Sequence, residues 1–338
     1  MKPGHVTTLK EIAKKLKLST STVSRALKDH PSIGLVTTMR VKNLARELNY
    51  EPNSRAIFFK QQRTFTIGVV LPKLSEAFFS TAISAIENKA NEENYTVILG
   101  QSLDDEDREL KILETLKKHR VDGVIVSVSK NTSNFEFIEV FKKANIPMVF
   151  FDCVPDREDV HRILVELETG MIEAIDTLVS CGHSRIALIN GPESLLASRE
   201  RERGFIKGLK KNKVAVNPEY IVQTDLSPEG NRQAMVELIS HSDRPSAVIS
   251  FSDYVTLDAM KVAKEKDLAI NQDLFFISFA NFPIWDHIEN KPMASIEQFP
   301  DKQAAKAAEI LFDLIHKGET GTENHIVYPS RLVHLSSD

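Results

Sequence analysis

The chain has 338 residues, 42% apolar and 27% charged, an ordinary globular mix with room for two or three domains at roughly 100–200 residues each. No apolar run approaches the ~18–20 residues of a membrane span, and the polar N-terminus has no apolar signal core. The expectation is therefore a cytoplasmic protein with no membrane partner, its two cysteines, Cys153 and Cys181, being reduced thiols. The net charge of −4 is uneven: residues 1–63 carry +9 and the remainder −13, the footprint of a nucleic-acid-binding module joined to an acidic body.

In chain order, Leu9, Ile12, Ala13 and Leu16 stand at helical spacing, with Thr8 and Glu11 placed to form a capping box. A second helix opens at Ser19, a good N-cap, and turns Val23, Ala26 and Leu27 inward. Its outward side carries Thr20, Ser21, Thr22, Ser24, Arg25 and Lys28, all hydrogen-bond donors. A third helix follows, with Val41, Leu44, Ala45 and Leu48 facing in and Tyr50 and Pro52 at its end. Two short helices, a tight turn and a donor-rich second helix describe a helix-turn-helix whose recognition helix enters a major groove.

From Thr66 onward strands and helices alternate. Strands are expected at Ile67–Leu71, Tyr95–Gly100, Gly123–Val128 and Pro147–Phe151, with helices at Ala77–Asn91, Glu106–His119 and Phe135–Ala144. The alternation resumes with strands at Ile163–Glu166, Arg185–Asn190, Tyr220–Gln223, Ala247–Phe251 and Leu274–Ser278. Their helices are Glu168–Cys181, Arg199–Lys211, Gly230–Ser240 and Val255–Lys266, and an amphipathic helix, Lys302–His316, closes the series. The fold class is α/β: a helix-turn-helix head, then two lobes of doubly wound parallel sheet enclosing a cleft at the strands' carboxyl ends.

The runs VTTLKEIAKKLKLSTSTVSRAL and ELNYEPNSRA resemble the DNA-binding head of the lactose-repressor/galactose-repressor (LacI/GalR) family. The phrases TFTIGVVLP, HRVDGVIV, CGHSRIALINGP and ASRERERGF are similar to that family's effector-binding core, which resembles a periplasmic sugar-binding protein. The resemblance implies a hinge helix carrying Asn53, Ala56 and Phe59 that folds on DNA and presses apolar residues into the minor groove. It also implies that Thr20 and Ser21 read bases, and Arg25 suits a guanine edge. Effector contacts are implied at Glu76, Phe78, Phe79, Asp152, Arg199, Ser252 and Asp253, and at Asn281 in the SFAN loop.

Several positions depart from the family's pattern. Lys17 stands where the family has its turn glycine, so a left-handed backbone there costs about 1 kcal/mol. Ser54 replaces the hinge proline, and Phe59 replaces the wedge leucine. In the pocket, Ala280 replaces an aspartate, Glu166-Leu167 an acidic or Asp-Asn pair, and Glu76-Ala77 an Asn-Pro. Either the effector is unusual or the pocket has drifted from the family's.

The domains expected are a head over 1–52, a hinge and linker over 53–63, and a core over 64–338. Within the core, the N-lobe takes about 64–152 plus 282–300, and the C-lobe about 160–280 plus 301–338. No dinucleotide fingerprint, Walker A run, nucleophile elbow or metal-ligand spacing is present, so no cofactor, metal or enzymatic activity is expected. Trp285 fits a pocket lid or a surface position equally. The function that follows is a transcriptional regulator, a repressor, acting on double-stranded operator DNA under control of a sugar-like small molecule. The alternative is a small-molecule-binding protein with a vestigial head. Palindromic half-sites need a twofold axis, and no heptad run follows the last helix, so a homodimer is expected.

Overall fold

The computed structural model describes residues 7–50, 63–318 and 324–335. The chain divides into two compact units, residues 1–64 and 65–338, each with its own hydrophobic core. The expected hinge residues Asn53, Ala56 and Phe59 lie outside the described residues.

The first unit holds α1 (Leu9–Leu16), α2 (Thr20–Leu27) and α3 (Leu35–Glu47). The capping box forms as the spacing predicts: Glu11 N–H donates to Thr8 Oγ1 at 3.3 Å, and Thr8 N–H donates to Glu11 Oε2 at 2.8 Å. Lys17 ends α1 with φ 52° and ψ 42°, the left-handed geometry that its family counterpart adopts as glycine. That turn lets Leu18 N–H donate back to Ala13 O at 2.9 Å and swings the chain into α2. Ile12, Ala13, Val23, Ala26, Val41 and Ala45 are buried together, so all three helices share one small core.

The second unit contains two six-stranded sheets. The N-lobe sheet uses β1 (Thr66–Leu71), β2 (Thr96–Gln101), β3 (Gly123–Val126), β4 (Met148–Phe151), β5 (His161–Glu166) and β11 (His325–Pro329). Their order is β11-β5-β4-β3-β1-β2, all neighbours parallel. The C-lobe sheet uses β6 (Ile186–Asn190), β7 (Ile221–Gln223), β8 (Ala247–Ser250), β9 (Phe275–Phe279), β10 (Ala294–Glu297) and β12 (Arg331–His334). Its order is β12-β10-β9-β8-β6-β7, with only β10 and β12 antiparallel.

Covering helices follow as expected. In the N-lobe they are α4 (Ala77–Glu92), α5 (Glu106–Lys118), α6 (Glu136–Lys143) and α11 (Pro300–Lys317); in the C-lobe, α7 (Glu168–Ser180), α8 (Leu196–Lys211), α9 (Pro228–Ser240) and α10 (Asp253–Glu265). No helix among the described residues is long and apolar enough to cross a membrane.

The allotment of segments to lobes differs from expectation. β5, expected in the C-lobe, pairs with β4 in the N-lobe, whereas β10, expected in the N-lobe, pairs with β9 in the C-lobe. Helix α11, expected in the C-lobe, buries Ala304, Ala307, Ala308 and Leu311 in the core that contains Ile67, Phe78, Ala82 and Ile86 of the N-lobe. Trp285 is 1% exposed in the C-lobe core, neither lid nor surface. A strand covered on both faces carries the same apolar pattern in either sheet, so periodicity finds it without naming its neighbours.

The chain therefore crosses between lobes three times: at Leu167, at Gln298-Phe299 and at Ser330. The crossings are tied to one another. Ser330 N–H donates to Glu166 O at 3.0 Å, and Gly170 N–H donates to Ser330 Oγ at 2.9 Å. A Cβ at Gly170 would stand 2.5 Å from Ile296 Cγ2, so only glycine permits that approach.

Candidate functional site

The outward face of α2 is built by its cap. Ser19 Oγ accepts from Thr22 N–H at 3.0 Å and lies 2.8 Å from the hydroxyls of both Ser21 and Thr22, which fixes the first turn. Thr20, Ser21, Arg25 and Lys28 are exposed beyond it, while Thr22 and Ser24 are half-buried. Among the described residues, neither the Arg25 nor the Lys28 side chain has a hydrogen bond or ion pair, so both cations are available to a ligand. The structure thus places Ser19 and Thr8 chiefly as caps and leaves a polar, cationic strip along α2.

The second candidate is the cleft between the lobes, at the carboxyl ends of the strands. Its cavities, of about 130 Å³ and 180 Å³, share the walls Val128, Lys130, Asp152, Cys153, Leu195, Ala197 and Gln298. Glu76, Phe78, Phe79, Asp152 and Ser252 line it as expected. Phe78 and Phe79 meet edge to face, 5.2 Å between centroids, giving the N-lobe wall an apolar surface. Burial pushes the Glu76 carboxyl up, against the pull of Lys73 at 3.5 Å.

Asp152 follows β4 in the left-handed region, φ 59°, and accepts from Ser127 Oγ–H at 3.2 Å. Burial raises its carboxyl; the hydrogen bonds and Arg201 oppose that rise. Arg201 faces it from the other lobe, 3% exposed, its guanidinium 4.1 Å from the Phe251 ring centroid and 4.3 Å from that of Phe279. Burial draws the guanidinium down to about 10, while Asp152 works the other way. Arg201 Nη1–H donates to Ala197 O at 3.2 Å, but the buried Nε–H has no acceptor among the described residues.

Arg201, in the wall of the 130 Å³ cavity, is the buried arginine of the cleft, and Arg199 is the exposed one. Arg199 lines the 180 Å³ cavity as expected, and donates to Glu193 O at 3.0 Å and Ser194 O at 3.1 Å. The reason is helical phase: Ser198, Arg201, Phe205, Gly208 and Leu209 share the buried side of α8, and Arg199 lies about 200° from Arg201. Glycines fix that phase. A Cβ at Gly204 would stand 3.1 Å from Glu168 Cα, and one at Gly208 2.8 Å from Ile175 Cδ1, so α8 lies close against α7 only this way round.

Two further expected contacts are not on the cleft wall. Asp253 is fully buried beneath it and accepts from the hydroxyls of Ser278 and Ser295 and from Phe282 N–H, the last at 2.6 Å. It brackets the loop after β9, in which Ala280 holds φ 97°. Asn281 turns away from the cavity and donates through Nδ2 to Glu297 Oε2 at 2.8 Å. Both carboxylate and amide are occupied in shaping the floor.

Lys130, Gln298 and Gln303 also line the cleft, and no motif or spacing singles them out. Lys130 Nζ donates across the cleft to Asp225 O at 2.9 Å. Its loop is clamped to α5: the buried Glu109 accepts from Ser129 N–H and Thr132 Oγ1–H, both at 2.7 Å. Tyr254 OH makes a second, longer link to Ser75 O at 3.5 Å.

Known proteins share both parts of this arrangement. Residues 8–53 match the family of bacterial regulatory proteins, lacI family, and residues 64–334 match the periplasmic binding proteins and sugar binding domain of LacI family. The probable HTH-type transcriptional repressor ExuR of Bacillus subtilis (strain 168) is 30% identical over 320 residues, 94% of each chain. The HTH-type transcriptional repressor CytR of Escherichia coli (strain K12) is 28% identical over 321 residues, 95% of this chain and 93% of that one. Among solved structures, the lac repressor dimer bound to operator and the anti-inducer ONPF superposes with a TM-score of 0.84 at 23% identity, over 97% of this chain and 98% of that one. A LacI family transcriptional regulator from Enterococcus faecium with bound ribose gives 0.69 at 24% identity, over 79% of this chain and 96% of that one.

Proposed function

The chain belongs to the LacI family of bacterial regulatory proteins, and from that we propose that it is a cytoplasmic, homodimeric repressor whose grip on operator DNA is set by a small molecule held between its lobes. The observation that carries this reading is the joining, in one chain, of a capped helix and a three-stranded hinge around a cleft, with cations on the helix and polar groups in the cleft that have no partner among the described residues. On the DNA side, Thr20, Ser21 and Arg25 meet base edges, while Lys28 and the hydroxyls of Thr8, Ser19, Thr22 and Ser24 meet phosphates. On the effector side, Asp152 and Arg201 face each other without direct contact, the spacing that a polyhydroxylated molecule bridges by accepting from one and donating to the other. The relative from Enterococcus faecium, solved with bound ribose, supports a sugar or sugar-containing ligand.

Two experiments test the DNA half. Affinity for a near-palindromic duplex selected by the full chain should fall with a log–log salt slope near −5 to −9, as for a dimer neutralising ~6–10 phosphates. A flat response, or equal affinity for random duplex, contradicts the reading. Arg25→Ala should cost ~1–3 kcal/mol on the selected duplex and relax preference at one base pair in each half-site. Lys28→Ala should instead weaken all duplexes by similar factors. Competition binding separates the two, and identical behaviour would show that the assignment of base reader and phosphate clamp is wrong.

A further inference from the structure

Gln303 lies in the first turn of α11, immediately after the second interlobe crossing, and is 1% exposed. Its Nε2–H donates to Gln298 O at 2.8 Å, which settles which way the amide points. The other end of the amide, Oε1, is buried with no donor among the described residues. The side chain lines the 180 Å³ cavity together with Asp152, Leu167, Glu200 and Gln298. Its neighbours on the buried side of the helix are Ala304, Ala307, Ala308 and Leu311, so an apolar side chain would suit packing better than an amide. An unpaired buried acceptor on a side chain that lines a cavity calls for a donor from whatever fills that cavity.

We propose that Gln303 is a specificity-determining residue of the cleft, its Oε1 accepting a hydrogen bond from an O–H or N–H of the effector. The inference rests on the cleft being the effector site. It adds a requirement that Arg201 and Asp152 do not impose: the ligand presents a donor on the α11 side. Because the same amide holds the backbone of Gln298 in the crossing, the bond also connects the ligand to a segment that moves when the lobes rotate.

The test uses the full chain and its Gln303→Leu and Gln303→Met variants, first melted without additive, then titrated with D-ribose, D-glucose and uridine. Without additive, both variants lose an unpaired buried oxygen and also the bond to Gln298 O, two changes of opposite sign, so they should melt within a few degrees of the wild type. The probe to which the wild type responds should bind both variants roughly tenfold more weakly. Equal affinity in wild type and variants would overturn the proposal. So would a clear fall in melting temperature in both variants, which would make Gln303 a packing residue. A wild type that responds to none of the three probes would overturn the sugar-type cleft itself, and that failure is recognisable because it involves no variant.

Discussion

Replacing Arg201 by alanine should remove the response to any ligand of the cleft and lower the stability of the body by about 3 kcal/mol. The guanidinium is stacked between Phe251 and Phe279, and a desolvated cation over an aromatic face is worth about 2 kcal/mol. Its removal leaves a void and also strands the buried Asp152 without its opposing charge. A charge-assisted hydrogen bond to ligand contributes roughly 1.5–3 kcal/mol, so affinity should fall about tenfold to a hundredfold from that contact alone. Arg199→Ala is the control: an exposed side chain bonded only to nearby carbonyls should change stability by less than about 0.5 kcal/mol. Trp285, the single tryptophan, buried in the C-lobe core, reports unfolding of both variants. Should Arg199→Ala cost more than Arg201→Ala, the phase assigned to α8 is wrong.

A comparable loss is expected from Asp253→Ala. The substitution leaves the hydroxyls of Ser278 and Ser295 and the amide of Phe282 without their shared acceptor, a change of roughly 3–5 kcal/mol for a buried charged group. The same residue gives the body a pH dependence of known sign. Burial pushes the Asp253 carboxyl up to about 6, although hydrogen bonds, that from Ser278 foremost, oppose the rise. The folded chain therefore holds this proton more tightly than the unfolded chain, whose aspartate titrates near 3.9. The stabilisation from protonation is complete below about pH 4 and is lost as pH rises through about 6, on the order of 2–3 kcal/mol in all. Asp253→Asn has no such proton. Denaturant titrations between pH 4 and 7 should show wild type losing stability relative to Asp253→Asn as pH rises, and a constant difference would exclude the residue as the source.

The head was almost fully legible because its signals are local. Thr8 with Glu11, and Ser19 with Thr22, cap helices within four residues of sequence, and the buried set Ile12, Ala13, Val23 and Ala26 follows helical spacing. The left-handed Lys17 was legible only through the family's glycine, since a lysine announces no such backbone. In the body, the alternation of strand and helix was legible, but the third dimension was not. β11 and β12 went unseen because each is short, lies at the edge of its sheet and has partly exposed residues. Arg199, Arg201 and Arg203 form a run in which only the phase of α8 distinguishes the buried arginine from the exposed ones, and that phase is set by contacts with α7. Asp253 carries the right chemistry for a ligand contact, but three donors from residues 25 to 42 positions away occupy it. Gln303 looks like a polar interruption of an amphipathic helix until the side chain is seen to line the cleft with a buried, unpaired oxygen.

The central claim is that a ligand between the lobes governs how the head holds DNA. Its most direct test is the affinity of the full chain for a selected near-palindromic duplex against a scrambled duplex of equal length. The titration is run alone and in millimolar D-ribose, D-glucose or uridine, with Arg201→Ala alongside. The account predicts a preference of at least ~10³-fold for the selected duplex. It further predicts that one of these molecules shifts that preference for wild type, and that Arg201→Ala keeps the preference but loses the shift. Equal affinity for the two duplexes, or a shift that survives in Arg201→Ala, would contradict it.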